Sequence, residues 1–125
     1  MERHEATIVL DSGAVIGLAR GNRDLRAFVT RADERGDTVV VPMVVIAETV
    51  RGNGPRDAPV NMTLAQFEPH LPLDEPTARL AGALLGAAGS NATIDAIVAA
   101  EAIQRRPSAL LTSDPVDLTR LLNGH

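Results

Sequence analysis

The sequence predicts an α/β protein, a three-layer α/β/α sandwich with a central parallel sheet. Three observations favour this fold: short runs of β-branched and aliphatic residues, longer segments with apolar residues at helical spacing between them, and turn residues at the junctions. Strands that alternate with helices usually pair in parallel, and their helices cover both faces of the sheet. We expect the 125 residues to form a single domain, residues 1–125, with a buried core.

Four short apolar runs are predicted as strands. The first covers residues 7–10 and ends abruptly at Asp11, which is followed by a hydroxyl and a glycine. The other three cover residues 38–41, 70–73 and 108–112, and Pro72 restricts the third run to a brief edge strand.

Seven segments are predicted as helices, from their apolar spacing and from helix-starting and helix-ending residues at their boundaries. They cover residues 14–19, 24–34, 42–51, 62–67, 74–88, 93–106 and 116–122. Thr93 is the expected N-cap of the sixth helix. The Gly- and Pro-rich residues 52–59 are predicted as a loop.

The composition excludes several classes of function. Only two residues, Phe28 and Phe67, are aromatic, so a platform on which bases stack is almost excluded. The net charge of −4 argues against a broad nucleic-acid-binding surface, yet it permits a local site where metal ions offset acids. The lack of Cys excludes thiolate sites and fits a reducing cytoplasm, and no apolar run is long enough for a membrane span. We expect a cytoplasmic protein.

Four acidic residues are expected at one edge of the predicted sheet. Asp11 and Asp114 each follow a strand, and the carboxyl ends of parallel strands meet at the same edge, where ligands bind in such folds. Asp95 lies in the first turn of a helix that starts from this edge, and Glu48 lies one to two turns into another.

Each acid taken alone has an ordinary structural explanation. Asp11 and Asp114 are suited to cap helices or close turns, and Asp95 to offset the helix dipole. Glu48 and Arg51 are three residues apart, so they are also suited to form a solvated ion pair. Taken together, four carboxylates on one edge repel one another unless a cation lies among them. A site with oxygen ligands and without His or Cys suits Mg²⁺ or Mn²⁺, which support phosphodiester hydrolysis.

Four segments in order resemble those of PIN-domain ribonucleases, and most closely those of VapC-type toxins from bacterial toxin–antitoxin pairs. The resemblance covers nearly the whole chain and rests on residues 8–12 (Ile-Val-Leu-Asp-Ser), 47–52 (Ala-Glu-Thr-Val-Arg-Gly), 81–82 (Ala-Gly) leading to 94–99 (Ile-Asp-Ala-Ile-Val-Ala), and 111–118 (Leu-Thr-Ser-Asp-Pro-Val-Asp-Leu).

The resemblance implies a metal-dependent endoribonuclease. By it, Asp11, Glu48, Asp95 and Asp114 correspond to the catalytic acids, with Asp11, Asp95 and Asp114 as ligands of Mg²⁺ or Mn²⁺. The hydroxyls of Ser12 and Ser113 are expected near the site, to orient water or phosphate, and Asp117 is a further acid with either an accessory or a capping role. The resemblance also implies an RNA substrate, a cognate antitoxin and a homodimer.

Three arginines are considered as contacts of an anionic ligand. Arg51 is the first candidate for a phosphate contact, with an ion pair to Glu48 as an equal alternative. Arg20 and Arg23 follow the first helix and either approach RNA or an acidic partner or, as is commoner, lie on a solvated surface.

Two other functions are weighed against the nuclease. The first is a catalytically silent binding module that keeps the fold and acts through a protein partner; the complete set of four acids argues against it. The second is a phosphatase or receiver-like domain with Asp11 as nucleophile, but the Asp-x-Asp arrangement of such proteins is absent, since Ser12 and Gly13 follow Asp11.

Overall fold

The computed structural model describes residues 6–113, and this part of the chain contains three strands and six helices. In chain order they are β1 (Thr7–Leu10), α1 (Ser12–Ala19), α2 (Arg23–Glu34), β2 (Thr38–Val40), α3 (Met43–Thr49), α4 (Gly54–Ala65), α5 (Glu75–Ala88), α6 (Thr93–Gln104) and β3 (Ser108–Leu111). The helix predicted over residues 116–122 lies outside the described residues.

The three strands form a parallel sheet in the order β2-β1-β3, with β1 in the centre. The chain passes from β1 to β2 on one side of it, and then crosses back past β1 to β3 on its other side. Because such crossovers are right-handed, the two connections lie on opposite faces of the sheet. Accordingly α1 and α2 contact β1 and β2, whereas α6 contacts β1 and β3 and packs against α5. The predicted three-layer α/β/α sandwich is confirmed.

The core of the described chain consists mainly of aliphatic side chains. Val9 and Leu10 of the central strand are fully buried, as expected for a strand covered by helices on both faces. Val15 and Val45 bring α1 and α3 against the same cluster, and Phe67 is its one buried aromatic side chain. Short, branched side chains allow the helices to pack closely over the end of β1, where Asp11 lies.

The prediction of a loop over residues 52–59 is wrong, because α4 begins at Gly54. The Asn53 side chain accepts a hydrogen bond from the Arg56 amide and caps the helix, and Pro55 lies in the first turn, where no amide is needed. Pro59 removes one internal hydrogen bond of the helix. Burial of Val60 and Leu64 compensates for that loss.

Two further boundaries near the site differ from the sequence predictions, and one weak element agrees with them. The helix with Glu48 ends at Thr49, so Arg51 lies beyond it. The N-cap of α6 is Ala92, without a side-chain hydrogen bond, and Thr93 is the first helical residue. The predicted edge strand at residues 70–73 is a single parallel bridge between Leu71 and Pro42, which agrees with the expectation of a brief strand.

Within residues 6–113 no single helix is long and apolar enough to cross a membrane. Only α5 and α6 taken together reach the required length and hydropathy, and they are bent by 118° relative to each other.

Candidate active site

Asp11 lies at the carboxyl end of the central strand and begins the first helix. Its amide donates to the carbonyl of Leu111 (3.1 Å), which extends the pairing of β1 with β3 by one residue. Its carboxylate Oδ1 accepts the amide of Ala14 (2.8 Å) and caps α1. The capping role considered for this residue is therefore present, and it uses one carboxylate oxygen.

The surroundings of Asp11 disfavour its charged form. Burial raises the pKa of Asp11 above its ordinary value of 3.8, and the nearby negative charges of Asp95 and Glu48 raise it further. Hydrogen bonds from the Thr112 side chain and the Ala14 amide lower the pKa without cancelling the increase. Asp95 and Glu48 therefore both lie within electrostatic reach of Asp11, which ends the central strand at this edge of the sheet.

Glu48 is held against α1 by a side-chain contact. It is the next-to-last residue of α3, half-buried, and its Oε1 accepts a hydrogen bond from the Ser12 hydroxyl. Ser12 was expected to orient water or phosphate; the structure instead places its hydroxyl on Glu48. Because Ser12 directly follows Asp11, this bond fixes the position of Glu48 relative to the strand end.

Asp95 is the acid that α6 contributes to this edge. It lies in the first turn of the helix, where the partial positive charge of the helix N-terminus stabilises a carboxylate, and its side chain is exposed. The body of α6 is fixed against β1 and β3 by buried residues such as Val98 and Ala102.

The end of β3 forms the remaining wall of the site. A Cβ atom at Gly13 would lie 2.6 Å from the Ser113 Oγ and 3.4 Å from the Asp11 Oδ1, so Gly13 lies close to both side chains. The proposed role of Ser113 stays a prediction. Asp114 and Asp117 lie outside the described residues.

Thr112 is a site residue that the sequence reasoning missed. Its side chain hydrogen-bonds to the Asp11 carboxylate and is itself buried. The register of β1 with β3, in which Leu10 pairs with Leu111, places Thr112 next to Asp11 one step further along. The sequence did contain a signal for Thr112. Its hydroxyl follows the apolar residues of β3 directly, so a parallel pairing of β3 with β1 would have placed it next to Asp11.

Arg51 does not form the alternative ion pair with Glu48. Its guanidinium donates to the carbonyl oxygens of Ala47 (3.2 Å) and Val50 (2.8 Å), because α3 has already ended and the chain has turned away. The proposed phosphate contact of Arg51 stays a prediction.

The chemistry of the donor set fits a hard divalent cation. Asp11 and Glu48 take part in none of the four ion pairs between described residues, so no arginine there offsets their charge. No three His, Asp or Glu side chains among residues 6–113 are arranged to hold an ion by themselves. Mg²⁺ needs only one or two carboxylates, with water and substrate phosphate completing its octahedron, so two of these acids suffice.

Comparisons with known proteins agree with this architecture. A family model described as PIN domain matches residues 8–121. Among solved structures, the crystal structure of VapBC2 from Rickettsia felis bound to a DNA fragment from their promoter is similar, with a TM-score of 0.72 and 13% identity, covering 91% of this chain and 92% of that one. At this identity the similarity concerns the fold. No curated protein matches the sequence.

Proposed function

Because the chain belongs to the PIN domain family, we propose that it is a metal-dependent endoribonuclease that hydrolyses RNA phosphodiester bonds, and that it acts as the toxin of a toxin–antitoxin pair. The observation that supports this most is the placement of Asp11 at the carboxyl end of the central strand, partly buried and close enough to Glu48 and Asp95 for their charges to act on it. Such an arrangement costs free energy in the isolated protein, and a bound cation reverses that cost.

In this proposal Asp11, Asp95 and Asp114 hold Mg²⁺ or Mn²⁺, and Glu48 completes the site or accepts a proton from the attacking water. The ion supplies positive charge that activates water and stabilises the charge that develops on the phosphate oxygens. The chain orients the acids: Thr112 donates to the Asp11 carboxylate, and Ser12 donates to Glu48. Two hydroxyls therefore hold two carboxylates in fixed directions, which an ion with a strict octahedral preference requires.

The partners proposed for the chain follow from the same family. The similar Rickettsia protein occurs in a VapBC complex, and we propose that this chain likewise binds a cognate antitoxin, forms a homodimer and acts in the cytoplasm.

The test is cleavage of RNA by the purified protein with added Mg²⁺ or Mn²⁺. The same reaction with excess chelator is the blank. Asp11→Asn and Asp95→Asn should each lower the rate by at least about 100-fold, since each removes a charged ligand. Asn also caps helices well, so Asp11→Asn keeps the α1 cap. Asp24→Asn is the matched control, because Asp24 is the first-turn acid of α2, away from the site.

Equal cleavage by the parent and by both variants would show that these acids are not the catalytic ones. A folded parent that neither cleaves RNA nor binds Mn²⁺ would favour the catalytically silent binding module instead.

A further inference from the structure

A groove of about 260 Å³ lies between α1 and α4. Two guanidinium groups and four aliphatic residues line it: Arg20, Arg56, Ile16, Ala19, Pro59 and Val60. We call it the α1–α4 groove. It brings two guanidinium groups together on a protein whose net charge is −4.

The groove is continuous with the acidic site along one face of α1. Ser12, Ile16 and Ala19 follow one another at intervals of four and three residues, so they lie on the same side of the helix, with Arg20 directly after. Ser12 at one end of this face bonds to Glu48, and Arg20 at the other end lines the groove. The nine residues from Asp11 to Arg20 correspond to about 13 Å along the helix axis.

A second link joins the groove to the acidic site through Arg56. Its guanidinium donates to the carbonyl of Thr49 (2.9 Å), the residue after Glu48, and to the carboxylate of Asp57 (2.8 Å). Arg56 is thereby fixed beside the end of α3, with its side chain 46% exposed. The side chain of Arg20 is exposed, and its guanidinium has no hydrogen-bond or ion-pair partner among residues 6–113.

We propose that the α1–α4 groove binds a backbone phosphate of the RNA strand, a few nucleotides from the phosphate that is cleaved, with Arg20 as the main contact and Arg56 beside it. This inference rests on the proposed RNA cleavage. Guanidinium groups bind phosphate through paired N–H donors. The aliphatic floor offers van der Waals contact to sugar and base without a stacking platform, so it selects no particular base.

The charge distribution favours a nucleic acid over an acidic peptide. A strand that runs along this face of α1 reaches the carboxylates, where divalent ions neutralise its phosphates. An acidic peptide can contact the two guanidinium groups, but the proposed function gives it no reason to extend to the carboxylates, as an RNA strand must.

The test measures RNA binding separately from cleavage. In an Asp11→Asn background, the affinity for a fluorescein-labelled single-stranded RNA of mixed sequence is measured by fluorescence anisotropy at several salt concentrations. We expect the further change Arg20→Ala to weaken RNA binding about 5-fold. The slope of log affinity against log salt concentration should become shallower by about 0.7, which is the value for one lost phosphate contact on a single strand. Arg31→Ala, at an exposed arginine of α2 outside the groove, is the control and should change neither quantity.

A second measurement locates the contact. In an RNA that the parent cleaves, neutral methylphosphonates replace the phosphates one at a time. One replacement away from the cleaved bond should raise the KM of the parent and should have no further effect on the KM of Arg20→Ala.

Three outcomes overturn this inference. The first is that Arg20→Ala binds RNA with the same affinity and salt dependence as the parent, and the second is that every methylphosphonate acts equally in both proteins. A variant that binds RNA normally but has lost affinity for an acidic partner protein assigns the groove to that partner. In all three cases the parent protein still cleaves RNA, so only the inference about the groove fails. If the parent neither binds nor cleaves RNA, the proposed function itself is contradicted.

Discussion

Asp11, which is half-buried, and Asp57, which is buried, both lie at the beginnings of helices, and their pKa values are shifted in opposite directions. Asp57 accepts hydrogen bonds from the backbone amides of Arg51 (3.0 and 3.1 Å) and Asn53 (3.1 Å), and from the Arg56 guanidinium (2.8 Å). These donors lower the pKa of Asp57, with the Arg51 amide as the largest cause. Asp11 has fewer donors, and burial with two neighbouring acids raises its pKa.

This difference is the one expected between an acid that stabilises the fold and an acid that is proposed to bind a metal ion. The charge of Asp57 is compensated inside the fold, and its hydrogen bonds hold together the connection between α3 and α4. The charge of Asp11 is left for something outside the fold to compensate. A carboxylate kept in a repulsive environment, at a sheet edge where ligands bind, is the kind of group that active sites contain.

The same chemical change at the two positions should have opposite consequences for stability. Asp57→Asn removes acceptors from several amides and leaves Arg56 without its counter-ion, so the melting temperature should fall by about 5 °C or more. Asp11→Asn removes an unfavourable charge and keeps the helix cap, so its melting temperature should equal or exceed that of the parent. Thermal unfolding followed by circular dichroism in chelator measures both. Equal losses at the two positions would contradict the distinction.

A smaller effect is expected from a methyl group placed beside Asp11. Gly13→Ala puts a Cβ atom 2.6 Å from the Ser113 Oγ and 3.4 Å from the Asp11 Oδ1, so the Ser113 hydroxyl must turn away and the space beside the Asp11 carboxylate is reduced. We expect RNA cleavage to fall by about 10-fold, as for loss of a residue that supports metal ligands.

The matched control is Gly82→Ala in α5, where a Cβ atom meets nothing within 4 Å. This change should leave cleavage unaltered and stabilise the protein by up to about 1 kcal/mol, the helix-propensity difference between Ala and Gly. If Gly13→Ala cleaves RNA at the parent rate, the close approach of Ser113 to Gly13 is not needed to position the catalytic acids.

The smallest effect is on the pH dependence of stability. Both carboxyls have an ordinary pKa of 3.8. Because the pKa of Asp11 is raised in the folded protein, its contribution to stability is present below pH 3.8 and is lost as pH rises through the raised pKa. Because the pKa of Asp57 is lowered, its contribution is present above pH 3.8 and is lost as pH falls through the lowered pKa.

The melting temperature of Asp11→Asn, relative to the parent in chelator, should therefore increase as pH rises from acid to neutral, by about 2 °C. The relative melting temperature of Asp57→Asn should decrease over the same range. Two curves with the same slope would mean that the two environments do not differ as described.

The sequence by itself determined the parallel α/β fold, the aliphatic core and the placement of Asp11 and Asp95 at the start of helices. Those features depend on hydrophobic periodicity and on helix-starting residues, which are properties of neighbouring positions. Where local signals misled, as at residues 52–59, two prolines and two glycines indicated a loop, while the Asn53 cap and the burial of Val60 favoured a helix.

Only the tertiary structure decided which side chains meet. The bond from Ser12 to Glu48 joins residues 36 positions apart, and the Thr112 side chain reaches Asp11 from another strand. Arg51 fails to meet Glu48 because α3 ends after Thr49. Such contacts depend on the angle at which α3 packs on α1 and on the register of β3 with β1, and both follow from the packing of the whole core, which no short stretch of sequence contains.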